Sequence, residues 1–156
     1  MLMHGGKLVQ LDDADRKILT ELQQDARASF KAIAEDIGVS EATVFVRVKK
    51  LKEAGILKGF RAIVDPTAVG KPLTAFILVR AQPKIYQNVL NSLKRIDDIY
   101  EIFDVTGQYY SVLKVRTTGT DQLSKIIDQI ETIEGVAGTE TIIVLRTVKE
   151  ELTIKI

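Results

Sequence analysis

Ser29-Phe30-Lys31-Ala32-Ile33-Ala34-Glu35-Asp36-Ile37-Gly38-Val39-Ser40-Glu41-Ala42-Thr43-Val44-Phe45-Val46-Arg47-Val48-Lys49-Lys50-Leu51 is the stretch that decides the fold. Phe30, Ile33, Ala34 and Ile37 recur at helical spacing behind Ser29, a good N-cap, and the run stops at Gly38, which takes positive φ at low cost. Val39-Ser40 then opens a second helical run, with Val44, Val48 and Leu51 on one face and Gly55 as its terminator. Two short helices joined by a three-residue turn have the spacing of a helix-turn-helix. There, a small residue (Ala34) lets the helices approach and a glycine (Gly38) makes the turn.

Working outward, Leu11, Ala14, Ile18, Leu22 and Ala26 form the stripe of an earlier amphipathic helix between Leu11 and Arg27. Asp12 is placed to cap it, and Asp13 and Asp15 suit its positive end. On the third helix, the face opposite the core stripe centres on Val46 and Lys50, with Thr43 and Arg47 on one side and Phe45 and Lys49 on the other. No acid interrupts it. From Glu41 to Arg61 there are six basic residues (Arg47, Lys49, Lys50, Lys52, Lys58, Arg61) against two acids (Glu41, Glu53), a local +4 in a chain whose total is +1. That face suits the DNA major groove. Ser40, Thr43 and Arg47 would reach base edges or phosphates, Val46 would touch a thymine methyl, and Lys49 and Lys50 would grip the backbone, with Ser29 added at the start of the second helix. The segment Ile56 to Val64 is expected to form a hairpin wing turning at Gly59.

The whole chain sets limits on this. Its 156 residues carry 22 Lys+Arg and 21 Asp+Glu and are 46% apolar, enough for a buried core and too balanced for a disordered chain. Nucleic-acid binding must therefore come from a local patch. There is no cysteine, which removes disulfides, thiolate nucleophiles and sulfur metal sites. His4 is the single histidine and falls in residues 1–10, expected as a flexible terminus without the apolar stretch of a signal peptide. No run approaches the ~18 apolar residues of a membrane span, so a cytoplasmic location and no membrane partner are expected. No G-x-S-x-G, P-loop or dinucleotide glycine pattern occurs, and the remaining carboxylates, lysines and tyrosines form no catalytic constellation. The expectation is a non-enzyme with neither metal nor cofactor.

Pro66, Gly70 and Pro72 mark residues 65–72 as a linker. Beyond it, Leu73 to Ala81 reads as strand, Ile85 to Ile96 as helix and Ile99 to Thr106 as strand. Tyr110 to Thr117, a helix marked by Leu123, Ile126, Ile127, Ile130 and Ile133, and Thr139 to Val148 repeat the pattern. Two such units make a ferredoxin-like βαββαβ sandwich. The fold class is thus α+β, a winged helix-turn-helix domain over 11–64 followed by this sandwich over 73–156. Leu73 to Ala81 and Thr141 to Val148 are apolar at both parities, so the sheet face away from the helices needs a cover. A second copy of the chain is the simplest one. A dimer also presents two reading helices to two DNA half-sites.

In this order the residues resemble the Lrp/AsnC, or feast/famine, family of transcription regulators, from about Leu11 onward. The resemblance is carried by Leu11 to Leu19, Gly38-Val39-Ser40, Thr43-Val44, Arg47 to Leu51 and Gly55-Ile56-Leu57. In the second half it is carried by Val105-Thr106-Gly107, Leu113-Lys114-Val115, Gly135-Val136 and Thr139-Glu140-Thr141. It implies homodimers that commonly assemble to octamers, double-stranded promoter DNA bound by the first domain, and an amino acid effector bound by the second. The implied effector site comprises the loop Gly107, Gln108, Tyr109 and Tyr110 with Thr139, Glu140 and Thr141. Independently of the resemblance, a free amino acid needs an acceptor for its ammonium, and Asp104 is the candidate if its side chain faces the loop. Tyr110 stands where the family often has an aspartate. An amino-acid-sensing oligomer without specific DNA binding is the alternative that the low net charge leaves open.

Overall fold

The computed structural model describes residues 10–156, so His4 and most of the expected flexible terminus lie outside the described residues. The described residues divide into two compact units, residues 10–62 with 149–156 and residues 63–148.

In the first unit, α1 spans Asp13–Gln24, α2 Phe30–Ile37 and α3 Glu41–Glu53. Each start is fixed by a side chain that accepts one of the backbone N–H groups a helix leaves over. Asp12 accepts from Asp15 N at 2.8 Å, Ser29 from Ala32 N at 3.1 Å and Ser40 from Thr43 N at 3.1 Å. Asp15 also accepts from Asp12 N at 3.3 Å, a reciprocal capping box. α1 ends three residues before Arg27, because the Asp25 carboxylate accepts from Arg27 N at 2.8 Å and turns the chain. Gly38 sits at φ 73° and closes α2, with Val39 N donating to Ala34 O at 3.0 Å. The three helices share one core built from Ile18, Leu19, Leu22, Ile33, Ala34, Val44, Val48 and Leu51. Fully burying an aliphatic side chain of this kind contributes about 1.5–3 kcal/mol.

The expected wing does not form, since residues 57–65 contain no strand. Ile56 N and Leu57 N both donate to Leu51 O, at 3.0 and 3.1 Å, to finish α3. The first arm of the hairpin is thus spent on the helix end, and what remains is too short to hold two strands.

The second unit begins before the expected strand. Residues 65–72 are a folded turn rather than an open linker. Asp65 Oδ1 accepts from Thr67 N at 2.8 Å, Lys71 N donates to Pro66 O at 2.7 Å, and the Lys71 ammonium pairs with Asp98. β1 (Leu73–Ala81), a short 3-10 turn (Pro83–Ile85), α4 (Tyr86–Leu93), β2 (Ile99–Asp104), β3 (Ser111–Thr117), α5 (Thr120–Glu131) and β4 (Val136–Ile143) follow. The sheet is antiparallel in the order β2-β3-β1-β4, which is the βαββαβ arrangement. Ala75, Ile77, Val79, Leu113 and Val115 point to the face covered by α4 and α5, where they meet Val89, Leu93, Leu123, Ile126 and Ile130.

β4 starts three residues before the expected Thr139 and stops at Ile143 rather than Val148. Gln82 N donates to Gly135 O at 2.7 Å, which brings the chain into pairing as soon as it leaves α5. Val144 N donates to Thr74 O at 2.9 Å as a last rung, after which β1 has only its first residue, Leu73, left to offer. Past this point the chain departs from the sequence expectation again. Residues 149–156 belong with the first unit instead of the second. The Gln23 amide holds them there, donating to Ile154 O at 3.0 Å and accepting from Ile154 N at 2.7 Å.

The register places Phe76 and Leu78 of β1, Val112 of β3, Phe103 of β2 and Ile142 of β4 on the sheet face away from the helices. Phe103 and Ile142 are 48% and 50% exposed there. No helix among the described residues is long and apolar enough to cross a membrane.

Candidate nucleic-acid interface and effector site

The outward face of α3 follows from its inward one. Val44, Val48 and Leu51 are committed to the core, so the 100° step of the helix carries Phe45, Val46, Lys49 and Lys50 outward. Val46 is 48% exposed and Phe45 57%, with the Phe45 ring centroid 6.3 Å from that of Phe30. Lys49 and Lys50 are both exposed, and Lys49 reaches its i+4 neighbour Glu53 only at 3.9 Å. An exposed pair at that distance leaves the ammonium available to a phosphate. Ser29 and Ser40 spend a lone pair on capping, and the Ser40 and Thr43 hydroxyls lie 2.8 Å apart. Lys52 turns over the Phe60 ring, 5.8 Å from its centroid.

Arg47 differs from the other basic residues. Its Nη1 donates to Asp12 Oδ2 at 2.7 Å and to Asp15 Oδ1 at 2.8 Å, so the residue expected to reach DNA is drawn onto the start of α1. Its hydrogen bonds to Asp12 and Asp15 raise its pKa above the ordinary guanidinium value. The Asp12 carboxyl is lowered in turn, first by its hydrogen bond to the Asp15 backbone and then by Arg47. An open groove of about 630 Å³ runs beside this cluster, lined by Asp12, Asp15, Thr43, Val46, Arg47 and Lys50 among others. The sequence marks the two aspartates only as helix-start residues. Their bond to Arg47 spans 32 and 35 positions, beyond the reach of any periodicity.

In the second unit the expected effector residues separate into two groups. Thr139 and Thr141 pair with Val79 and Ile77 and so point to the helix side of the sheet, whereas Glu140 pairs with Leu78 and points to the open side. On the helix side, Asp104 Oδ1 accepts from the Tyr86 hydroxyl at 2.5 Å, and that hydroxyl also lies 3.0 Å from Tyr110 O. The Tyr86 and Tyr110 rings pack with centroids 5.0 Å apart. Burial, followed by the Asp104 hydrogen bond, pushes the Tyr86 pKa up to about 12. Thr139 donates to Glu131 Oε1 at 2.7 Å. Glu140, by contrast, takes the Tyr109 hydroxyl as its partner. Gly107, at φ 112°, and Gln108 form the exposed tip of the loop.

Tyr110 thus packs its ring on Tyr86, and its backbone N donates to Val79 O at 2.8 Å. Sequence reasoning does not reach Tyr86 or Glu131. Tyr86 begins a helix that its neighbours identify only as amphipathic, and Glu131 closes the next one. Neither carries a local signal for what it touches.

Residues 11–52 match the AsnC-type helix-turn-helix domain, and residues 74–154 match the Lrp/AsnC ligand binding domain. The chain belongs to the Lrp/AsnC family. It is 42% identical over 149 residues to the HTH-type transcriptional regulator FL11 of Pyrococcus horikoshii, covering 94% of this chain and 99% of the relative. Among solved structures, that of Escherichia coli AsnC superimposes with a TM-score of 0.88 at 36% identity, covering 94% of this chain and 99% of the other. A transcriptional regulator of Neisseria meningitidis solved as a complex with L-Met superimposes with a TM-score of 0.86 at 26% identity, covering 93% and 96%. As an Lrp/AsnC protein this chain is a transcriptional regulator that joins a helix-turn-helix domain to a ligand-binding domain.

Proposed function

We propose that this Lrp/AsnC regulator binds operator DNA sequence-specifically through α3 and that an amino acid effector, held by the second unit, modulates its assembly or its operator affinity. The observation that carries the DNA reading is the outward face of α3. It presents Val46, Lys49 and Lys50 on a helix whose other face is fully committed to the core. Val46 is the residue for a thymine methyl, Thr43 and Ser40 are for base edges or phosphates, and Lys49, Lys50 and Ser29 are for the backbone.

The effector reading rests on the family's ligand-binding domain and on the L-Met complex of the Neisseria relative. In this chain the candidate residues are Gly107, Gln108, Tyr109, Tyr110, Thr139, Glu140, Thr141 and Asp104. Because Asp104 is already engaged by Tyr86, an incoming ammonium has to compete with a phenol for it. A homodimer that covers the open sheet face, and dimers that gather into an octamer, complete the proposal. The mechanism is differential binding of effector to two assembly states, which shifts the population of the one that grips DNA.

Selection of bound DNA from a random-sequence pool at two salt concentrations, with and without a mixture of amino acids, tests this reading. Enrichment of a pseudo-palindrome bound in a salt-sensitive way is expected, with a change on adding the mixture. No binding at low salt would leave a ligand-sensing assembly as the function.

A further inference from the structure

Four cations project from α3, and the structure treats one of them differently. The Arg47 side chain is 30% exposed, against 66% for Lys49. A single guanidinium nitrogen meets two carboxylates three residues apart, and those carboxylates hold each other's backbone N–H groups in the capping box of α1. Arg47 therefore grips a helix end. Releasing it to a phosphate would break two charge-assisted hydrogen bonds and leave Asp15, whose side chain is 15% exposed, without its cation. It would also turn two uncompensated negative charges toward the DNA.

Resting on the DNA reading above, we infer that Arg47 is a positioning residue of the interface rather than a DNA contact, clamping α3 to the capped start of α1. The clamp fixes the rotation of α3 about its axis, because Thr43 and Lys50, four residues before and three after, lie on the same ridge as Arg47. Charge neutralisation on the DNA then falls to Lys49 and Lys50. Both bonds leave from the one terminal nitrogen Nη1, and a lysine ammonium, one bond closer to the backbone and on a flexible stem, is no substitute for it.

Two measurements on the full-length chain separate a clamp from a contact. The first is the slope of log affinity against log salt for the selected operator and for unrelated DNA. Each phosphate contact contributes about 0.9 to that slope. Arg47→Met is expected to lower operator affinity at least tenfold with the slope unchanged, and Arg47→Lys is expected not to restore it. Lys50→Ala, in contrast, should reduce the slope by about 0.9 on both DNAs. A slope loss of that size in Arg47→Met, or recovery in Arg47→Lys, would overturn the inference.

The second measurement is thermal unfolding of Arg47→Met, of Asp12→Asn with Asp15→Asn, and of all three together. Asparagine keeps the caps and removes the charges. Each of the first two is expected to lower Tm by about 2–4 °C, and the combination to fall no further. Additive effects would show that the groups do not act together and would reject the clamp. If the wild-type chain binds no DNA, the DNA reading fails, and this second measurement still decides the clamp.

Discussion

Tyr86 shows how a single side chain can make stability depend on pH. Burial and the hydrogen bond to Asp104 raise its pKa to about 12. The folded chain therefore holds the phenolic proton more tightly than the unfolded chain, whose tyrosines titrate near 10. The contribution is complete below pH 10 and is lost as pH rises from 10 to about 12. Ultraviolet titration should show late tyrosine ionisation, to which Tyr109, raised by its hydrogen bond to Glu140, also contributes, and Tyr86→Phe should remove the Tyr86 part of it together with this share of the alkaline loss. Asp12 works in the opposite direction. Its folded pKa lies below 3.8, so its contribution is present above that value and is lost as pH falls through the folded one. Melting curves below pH 4 should fall less steeply in Arg47→Met than in the wild-type chain. The caps themselves are legible in the sequence, because Asp12, Ser29, Ser40 and Gly38 act within four residues of their own position. The partners of Arg47 and Tyr86 are not, since those contacts join elements that only the fold brings together.

Elements are readable where a local pattern ends at a local stop. α2 and α3 match the expectation because serine caps and Gly38 fix the starts of both helices and the end of α2. The wing fails for a reason that no pattern carries: its first two donors close α3 instead. The end of β4 depends on the length of β1, its partner, and the placement of residues 149–156 depends on one glutamine more than a hundred positions away. The glycines give a test at this scale. A Cβ added to Gly38 would meet open space, so Gly38→Ala should cost only the left-handed backbone penalty, about 1–2 kcal/mol. A Cβ on Gly135, at φ 96°, would lie 2.6 Å from Ile85 Cδ1 and 3.1 Å from Val89 Cγ2. Gly135→Ala should therefore destabilise more than Gly38→Ala in paired denaturant unfolding curves, and an equal cost would mean that the start of β4 yields easily.

For the whole molecule, the open sheet face is an exposed apolar surface of the second unit, with Phe76 and Leu78 half-buried and Phe103 and Ile142 exposed. A partner copy that covers it should be displaced by a charge at its centre. Ile142→Glu is expected to move the sedimenting species toward the monomer without lowering the helix content, and an unchanged species would place the interface elsewhere. The apolar character of this face is legible in the sequence, from the apolar residues at both parities of Leu73 to Ala81. For the candidate effector residues the sequence shows only the alternation of Thr139, Glu140 and Thr141, and which of them face the helices follows from their pairing with Val79, Leu78 and Ile77. On the proposed function, α3 reads DNA with Lys49 and Lys50 as its cations. The most direct measurement is fluorescence anisotropy of a selected operator titrated with wild-type chain and with the Lys49→Glu, Lys50→Glu variant at two salt concentrations, with sedimentation run in parallel. Loss of operator binding with the assembly intact is expected, and wild-type affinity in the variant would contradict the claim.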